Sequence, residues 1–187
     1  MSKDFLLNTE DIDPDLNYYN NIAFVDAIYR LPSEIDAVLK ENTNTKFSLM
    51  HANCRGFQYN FDKLLSSVTN ITNDLSVIAV SETWTNCSNE NDYQLPHYNL
   101  GINSRVNKSC GGVGLFVHDS LHYKLRKDLC NIVPDVFECI FIELDVNKVI
   151  VGCLYRPPCG NLSTFIAHFD TLLSKLNNEK KNLLYCR

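Results

Sequence analysis

Three polar residues close three apolar runs in this 187-residue chain, and their types suit phosphate chemistry. Asn53 lies at the end of FSLMHANC (47–54), Glu82 ends LSVIAVSE (75–82) and Tyr155 ends KVIVGCLY (148–155). Each run is largely apolar, and the second and third are also β-branched, the composition of a buried strand. The C-terminal ends of strands are where α/β scaffolds gather functional groups, because side chains there leave the packed core for a shared rim. A carboxylate, a carboxamide and a phenol brought together can bind a hard divalent cation and a phosphate at once. Mg²⁺ takes few protein oxygens and keeps water and substrate phosphate as its other ligands. Taken singly, each residue also has a plainer reading. Glu82 can cap the turn after its strand, and Tyr155 can be a half-buried strand aromatic.

The elements that must position these residues follow from periodicity. Ile22, Val25, Ile28, Ile35, Val38 and Leu39 approximate helical spacing, interrupted at Pro32, which predicts one or two short amphipathic helices. The polar stretch ENTNTK (41–46) reads as a linker, so residues 1–45 are expected to form a leader and 46–187 the folded domain. After the first strand, Phe61, Leu64, Leu65 and Val68 give an amphipathic helix. Strands are expected at 75–82, at 98–104 after the Pro96 loop, and at 111–120, where glycines open the run. VFECIFIEL (136–144) and KVIVGCLY (148–155) form a hairpin that Pro157 and Pro158 stop. Phe165, Ile166, Phe169, Leu172, Leu173 and Leu176 then mark a helix, and NLLYC (182–186) opens another strand. The order predicts a layered α/β (α+β) domain, two sheets packed as a sandwich with helices outside.

A net charge of −5 excludes capture of nucleic acid by a generally basic surface, so such a partner would need a local basic groove. The 8 cysteines form no CxxC pair and no finger-like spacing with histidine, which argues against zinc. The N-terminal stretch lacks the apolar core of a secretory signal, and no run is long enough to span a membrane. An intracellular protein, cytoplasmic or nuclear, with reduced thiols is expected, and Cys139 and Cys153 read as core fillers.

Four stretches recur in a known order. HANCRG (51–56), VIAVSETW (77–84), GGVGLFV (111–117) and LYRPP (154–158), with the step Leu95-Pro96-His97-Tyr98 between the second and third, resemble the endonuclease/exonuclease/phosphatase domain carried by non-LTR retrotransposons ahead of their reverse transcriptase. The resemblance covers residues 46–187. It implies a metal-dependent DNA endonuclease, a hydrolase of phosphodiesters that uses Mg²⁺ or Mn²⁺. In that comparison Glu82 is the principal metal ligand, Asn53 lies beside it in the metal and phosphate environment, and Tyr155 hydrogen-bonds a phosphate oxygen. Arg156 is placed to meet the phosphate backbone or, equally, to form a salt bridge at the rim. Arg105 is a further backbone contact or, as favoured by its loop position, a solvated charge. DNA and the rest of a parent polyprotein, including a reverse transcriptase, are the implied partners.

The comparison also shows departures. Where the family continues with GDFN, this chain reads KKNLLYCR and stops at Arg187, and no later Ser-Asp-His follows. On this reading the chain is the N-terminal part of such a domain, incomplete at its C-terminus and inactive alone. The alternatives are a phosphatase or phosphodiesterase of the same superfamily, or a non-catalytic binding fragment.

Overall fold

In a computed structural model, the described residues are 32–41, 47–86, 89–103, 110–146, 148–179 and 181–186. The helical pattern at 22–31, most of the expected linker and Arg105 lie outside them.

The chain runs α1 (Pro32–Glu41), β1 (Leu49–Asn53), α2 (Phe57–Thr69), β2 (Val77–Ser81), β3 (Tyr98–Asn103), β4 (Val113–His118), β5 (Tyr123–Leu125), β6 (Asn131–Val133), β7 (Phe137–Leu144), β8 (Ile150–Tyr155), α3 (Leu162–Asn178) and β9 (Leu183–Cys186). The first sheet has the order β1-β2-β4-β3, with β1 and β2 parallel and the other pairs antiparallel. The second has the order β5-β7-β8-β9, with the short β6 also paired to β7, and β8 parallel to β9. Both parallel pairs are joined through a helix, as a parallel connection requires.

Side-chain alternation along the strands builds the layers. In β2, Val77 and Ala79 face the second sheet and pack with Val113, Leu115, Val117, Ile140, Ile142, Val151 and Cys153. The intervening Ile78 and Val80 face α2 and meet Phe57, Leu64 and Val68. On the far side, Phe137, Cys139, Phe141 and Leu154 pack under Phe165, Leu172 and Leu176 of α3. The result is helix, sheet, sheet, helix. Burying both faces of β2 and most of β4 explains why those strands read as unbroken apolar runs. Each fully buried Ile, Leu or Phe here contributes about 1.5–3 kcal/mol relative to exposure.

Asp36 of α1 accepts the backbone N–H groups of Thr72 (2.9 Å) and Asn73 (3.1 Å), which joins that helix to the turn after α2. Cys139 and Cys153 are fully buried thiols, as their strand positions predict, and the described cysteines are all free. No helix among the described residues is long and apolar enough to cross a membrane. β5 and β6 were not foreseen. Each is three residues long and only partly buried, too short for a two-residue period to register.

Candidate functional site: a strained rim at the ends of two parallel strands

Because β1 and β2 are parallel and in register, with Asn53 opposite Ser81, both chains leave the first sheet at the same end. Asn53 is the last residue of β1 and is exposed; Glu82 follows β2 and is half-buried. Their side chains meet. The Asn53 Nδ2 donates to Glu82 Oε1 at 2.8 Å, while Asn53 Oδ1 accepts the Arg55 N–H at 3.2 Å. The amide therefore presents its donor end to the carboxylate and its oxygen to its own turn. Glu82 supplies the negative charge of the pair and Asn53 orients it.

The backbone around this pair is strained. Arg55 (φ 45°), Glu82 (φ 53°) and Trp84 (φ 53°) are all left-handed, a region that costs an L-residue about 1–2 kcal/mol. Main-chain hydrogen bonds hold them there. Cys54 N–H donates to Ser81 O (2.8 Å), Gly56 N–H to Glu82 O (2.7 Å), Phe57 N–H to Thr83 O (2.8 Å) and Trp84 N–H to Gly111 O (2.8 Å). Three loops, 53–57, 82–85 and 111–112, are thus laced into one rim.

Two glycines are required by that lacing. Gly56 (φ 93°) lies under the Trp84 ring, and a β-carbon there would stand 2.6 Å from Cε3. At Gly112 (φ 89°) a β-carbon would stand 2.3 Å from Thr83 Oγ1. Positive φ and lack of room both exclude other residues.

Tyr155 ends β8 in the second sheet and packs against the layer between the sheets. Cys153, two residues earlier, donates its thiol to Val80 O at 3.4 Å, which sets the end of β8 against the end of β2. A second link crosses the sheets. Glu138, the cross-strand partner of Tyr155 in β7, is fully buried and accepts the Gly112 N–H through Oε2. Sequence reasoning missed Glu138. Its signal was an acid in phase with Ile140 and Ile142, on the inward face of the apolar run FECIFIEL, which asks for a buried donor.

The other named residues lie apart from this pair. Arg156 turns its guanidinium onto its own loop, donating to Gly160 O (3.2 Å) and Pro157 O (3.4 Å) at 6.0 Å from the Phe165 ring centroid. His97 and His118 stand at the opposite end of the first sheet, beside Asp119 and Asp74. Five residues of β2 separate that end from Glu82, on the order of 15 Å at the usual strand rise. His51 does lie near the rim, with Nε2 3.2 Å from Ser81 Oγ, but burial holds its pKa below the ordinary value, so the ring is neutral at pH 7. Burial, reinforced by the Glu82 charge, pushes the Cys54 thiol up to about 12, which excludes it as a thiolate nucleophile.

The donor set suits a hard cation: one carboxylate oriented by an amide. Among the described residues no cluster of three or more His, Cys, Asp or Glu side chains forms a closed metal cage. One carboxylate with room for water and phosphate is the arrangement Mg²⁺ favours over a dedicated protein cage.

No family model matches the chain, and no curated protein matches it. Solved structures do. The chain is similar to the endonuclease domain of TRAS1, a telomere-specific non-LTR retrotransposon, with a TM-score of 0.55, 9% identity, and coverage of 74% of this chain and 58% of that one. It is also similar to the AP endonuclease LMAP from Leishmania major (TM-score 0.47, 14% identity, 69% and 47% covered). A third match is a D. rerio TDP2 humanized by 14 mutations (TM-score 0.49, 12% identity, 74% and 60% covered). The fold is endonuclease/exonuclease/phosphatase-like. The chain spans less than two thirds of the length of each of these structures.

Proposed function

We propose that this chain carries the cation and phosphate half of a phosphodiesterase site of the DNA endonuclease type. The observation that supports this most directly is the Asn53–Glu82 pair, held at 2.8 Å by left-handed turns at the shared end of two parallel strands. Glu82 is the residue that would hold Mg²⁺ or Mn²⁺, and Asn53 keeps its carboxylate aimed. A cation there would polarise the phosphoryl oxygens and stabilise the leaving oxygen.

Tyr155, from the facing sheet, offers a phenol to a phosphate oxygen. The hydrogen bond from the Gly112 N–H to Glu138, the cross-strand partner of Tyr155, links the two sheets beside the Glu82 loop, which supports giving Tyr155 this role. Among the described residues no group of three or more His, Cys, Asp or Glu side chains forms a metal site, and burial lowers the pKa of nearby His51. We therefore propose that the chain alone binds cation and DNA but turns over slowly, since removing members of a catalytic unit costs orders of magnitude in rate.

Supercoiled plasmid with Mg²⁺ tests the reading, alongside Mn²⁺ titration of wild type and Glu82→Ala. Cation binding that disappears in Glu82→Ala, with weak nicking, is the expected result. Robust nicking abolished by Glu82→Ala keeps the site and overturns slow turnover. Nicking or Mn²⁺ binding that survives Glu82→Ala overturns the site itself.

A further inference from the structure

Trp84 and Tyr59 are large aromatics left at the surface, with 38% and 70% of their area exposed. Both flank the Arg55–Gly56 turn that follows Asn53. The Trp84 ring lies on the Gly56 backbone, too close for any β-carbon, and its own amide is tied to Gly111 O. Tyr59 stands in the first turn of α2, its N–H donating to Gly56 O at 3.2 Å. Two exposed aromatics thus stand at one turn beside the candidate phosphate site, Trp84 seated by its ring and Tyr59 by its backbone, although burial would be the default for an indole.

Cations accompany them. Arg55 is exposed on the same turn, and next to it a cavity of about 300 Å³ is lined by Asn53, Arg55, Asn60 and Lys63 among others. Neither ring lines that cavity; the two aromatics flank the turn that carries Arg55, and exposed aromatics beside an exposed cation suit a nucleic-acid strand whose bases are unpaired. Every base has a π-face to stack, whereas an intact duplex keeps those faces inside the helix.

We propose that Trp84 and Tyr59 form a stacking platform for unpaired bases, with Arg55 and Lys63 on the flanking phosphates, so that the site prefers single-stranded or locally opened nucleic acid to intact duplex. The proposal rests on the endonuclease reading and names its substrate form.

Trp84 is the single tryptophan of the chain, so its fluorescence reports on the platform directly. Labelled single-stranded and duplex oligonucleotides of one sequence are titrated at low salt, with Ca²⁺ replacing Mg²⁺, following anisotropy and tryptophan emission together. The single strand is expected to bind about tenfold more tightly and to quench Trp84, as stacking on one or two aromatics supplies. Trp84→Ala should weaken single-strand binding about 5- to 100-fold, with duplex binding changed less than twofold. Trp84→Phe should recover most of that loss, and the surface change Tyr59→Ala should cost about fivefold without touching the fold. Equal binding of the two oligonucleotides, unchanged emission at saturation, or Trp84→Phe as weak as Trp84→Ala overturns the proposal. Duplex binding with silent Trp84 overturns it while leaving the endonuclease reading in place. No anisotropy change with either oligonucleotide overturns both.

Discussion

The Glu82 rim and the Arg126 cluster both gather charge beside a sheet, and they treat it in opposite ways. Arg126, 8% exposed, donates to Asp128, Glu143 and Glu179, and Lys181 bonds Glu143 and Glu179 at 2.9 Å each. Three carboxylates and two cations are mutually satisfied, and they join the end of β5, the strand β7, the end of α3 and the approach to β9. At the rim, the described partner of Glu82 is a neutral amide, on backbone that is itself strained. Charge that is fully paired is architecture. The charge on Glu82, whose described partner is neutral and whose backbone is strained, is the one that the proposed function uses.

Breaking the closed cluster should have the largest effect. Arg126→Met strands three carboxylates around one lysine, and should cost about 3–5 kcal/mol in urea unfolding, as for other broken partly buried ion networks. A loss under 1 kcal/mol would mean the cluster is merely a surface pairing. At the rim the expectation reverses. Glu82→Gln should lower cation-dependent nicking about 10²- to 10³-fold, yet shift unfolding by less than about 0.5 kcal/mol, the scale of an ordinary surface change. A large stability loss with unchanged cation affinity would make Glu82 a structural cap.

The backbone that holds Glu82 can be tested next. Gly112→Ala forces a β-carbon onto Thr83 Oγ1 at positive φ and should cost about 2 kcal/mol, read as a lower urea midpoint at constant slope. A neutral outcome would show that the loops tolerate relaxation. The smallest effect concerns acid. Hydrogen bonds from Arg126, then Lys181, hold the Glu179 pKa down at about 2. A depressed carboxylate pKa stabilises the fold above the unfolded value of about 4.3 and loses that contribution as pH falls through the folded value. Wild type should therefore lose stability between about pH 4.5 and 2, and Arg126→Met should show a shallower slope there. Equal slopes would remove Glu179 from the account.

Much of the scaffold is legible in the chain itself. The apolar runs ending at Asn53, Glu82 and Tyr155 gave strands because both faces of β2 and β8 are buried, and burial on both sides leaves a local signature. The helices over Phe61–Val68 and Phe165–Leu176 followed from a single apolar stripe each. The glycines that open GGVG announced a turn, and Gly111 and Gly112 carry positive φ.

What the chain could not announce is which ends meet. That Asn53 touches Glu82 depends on β1 and β2 being parallel and in register, a pairing between residues about thirty positions apart with no local trace. The inward reach of Glu138 to Gly112, which ties β7 to the loop beside Glu82, exists only once two sheets face each other. Arg156 read equally as phosphate ligand or rim salt bridge, and only the fold turned its guanidinium onto the carbonyls of its own loop. Residue types and periodicity determined the layers and the chemistry available. Long-range register decided which side chains share a rim, because hydrogen-bonded strands align groups that sequence distance keeps apart.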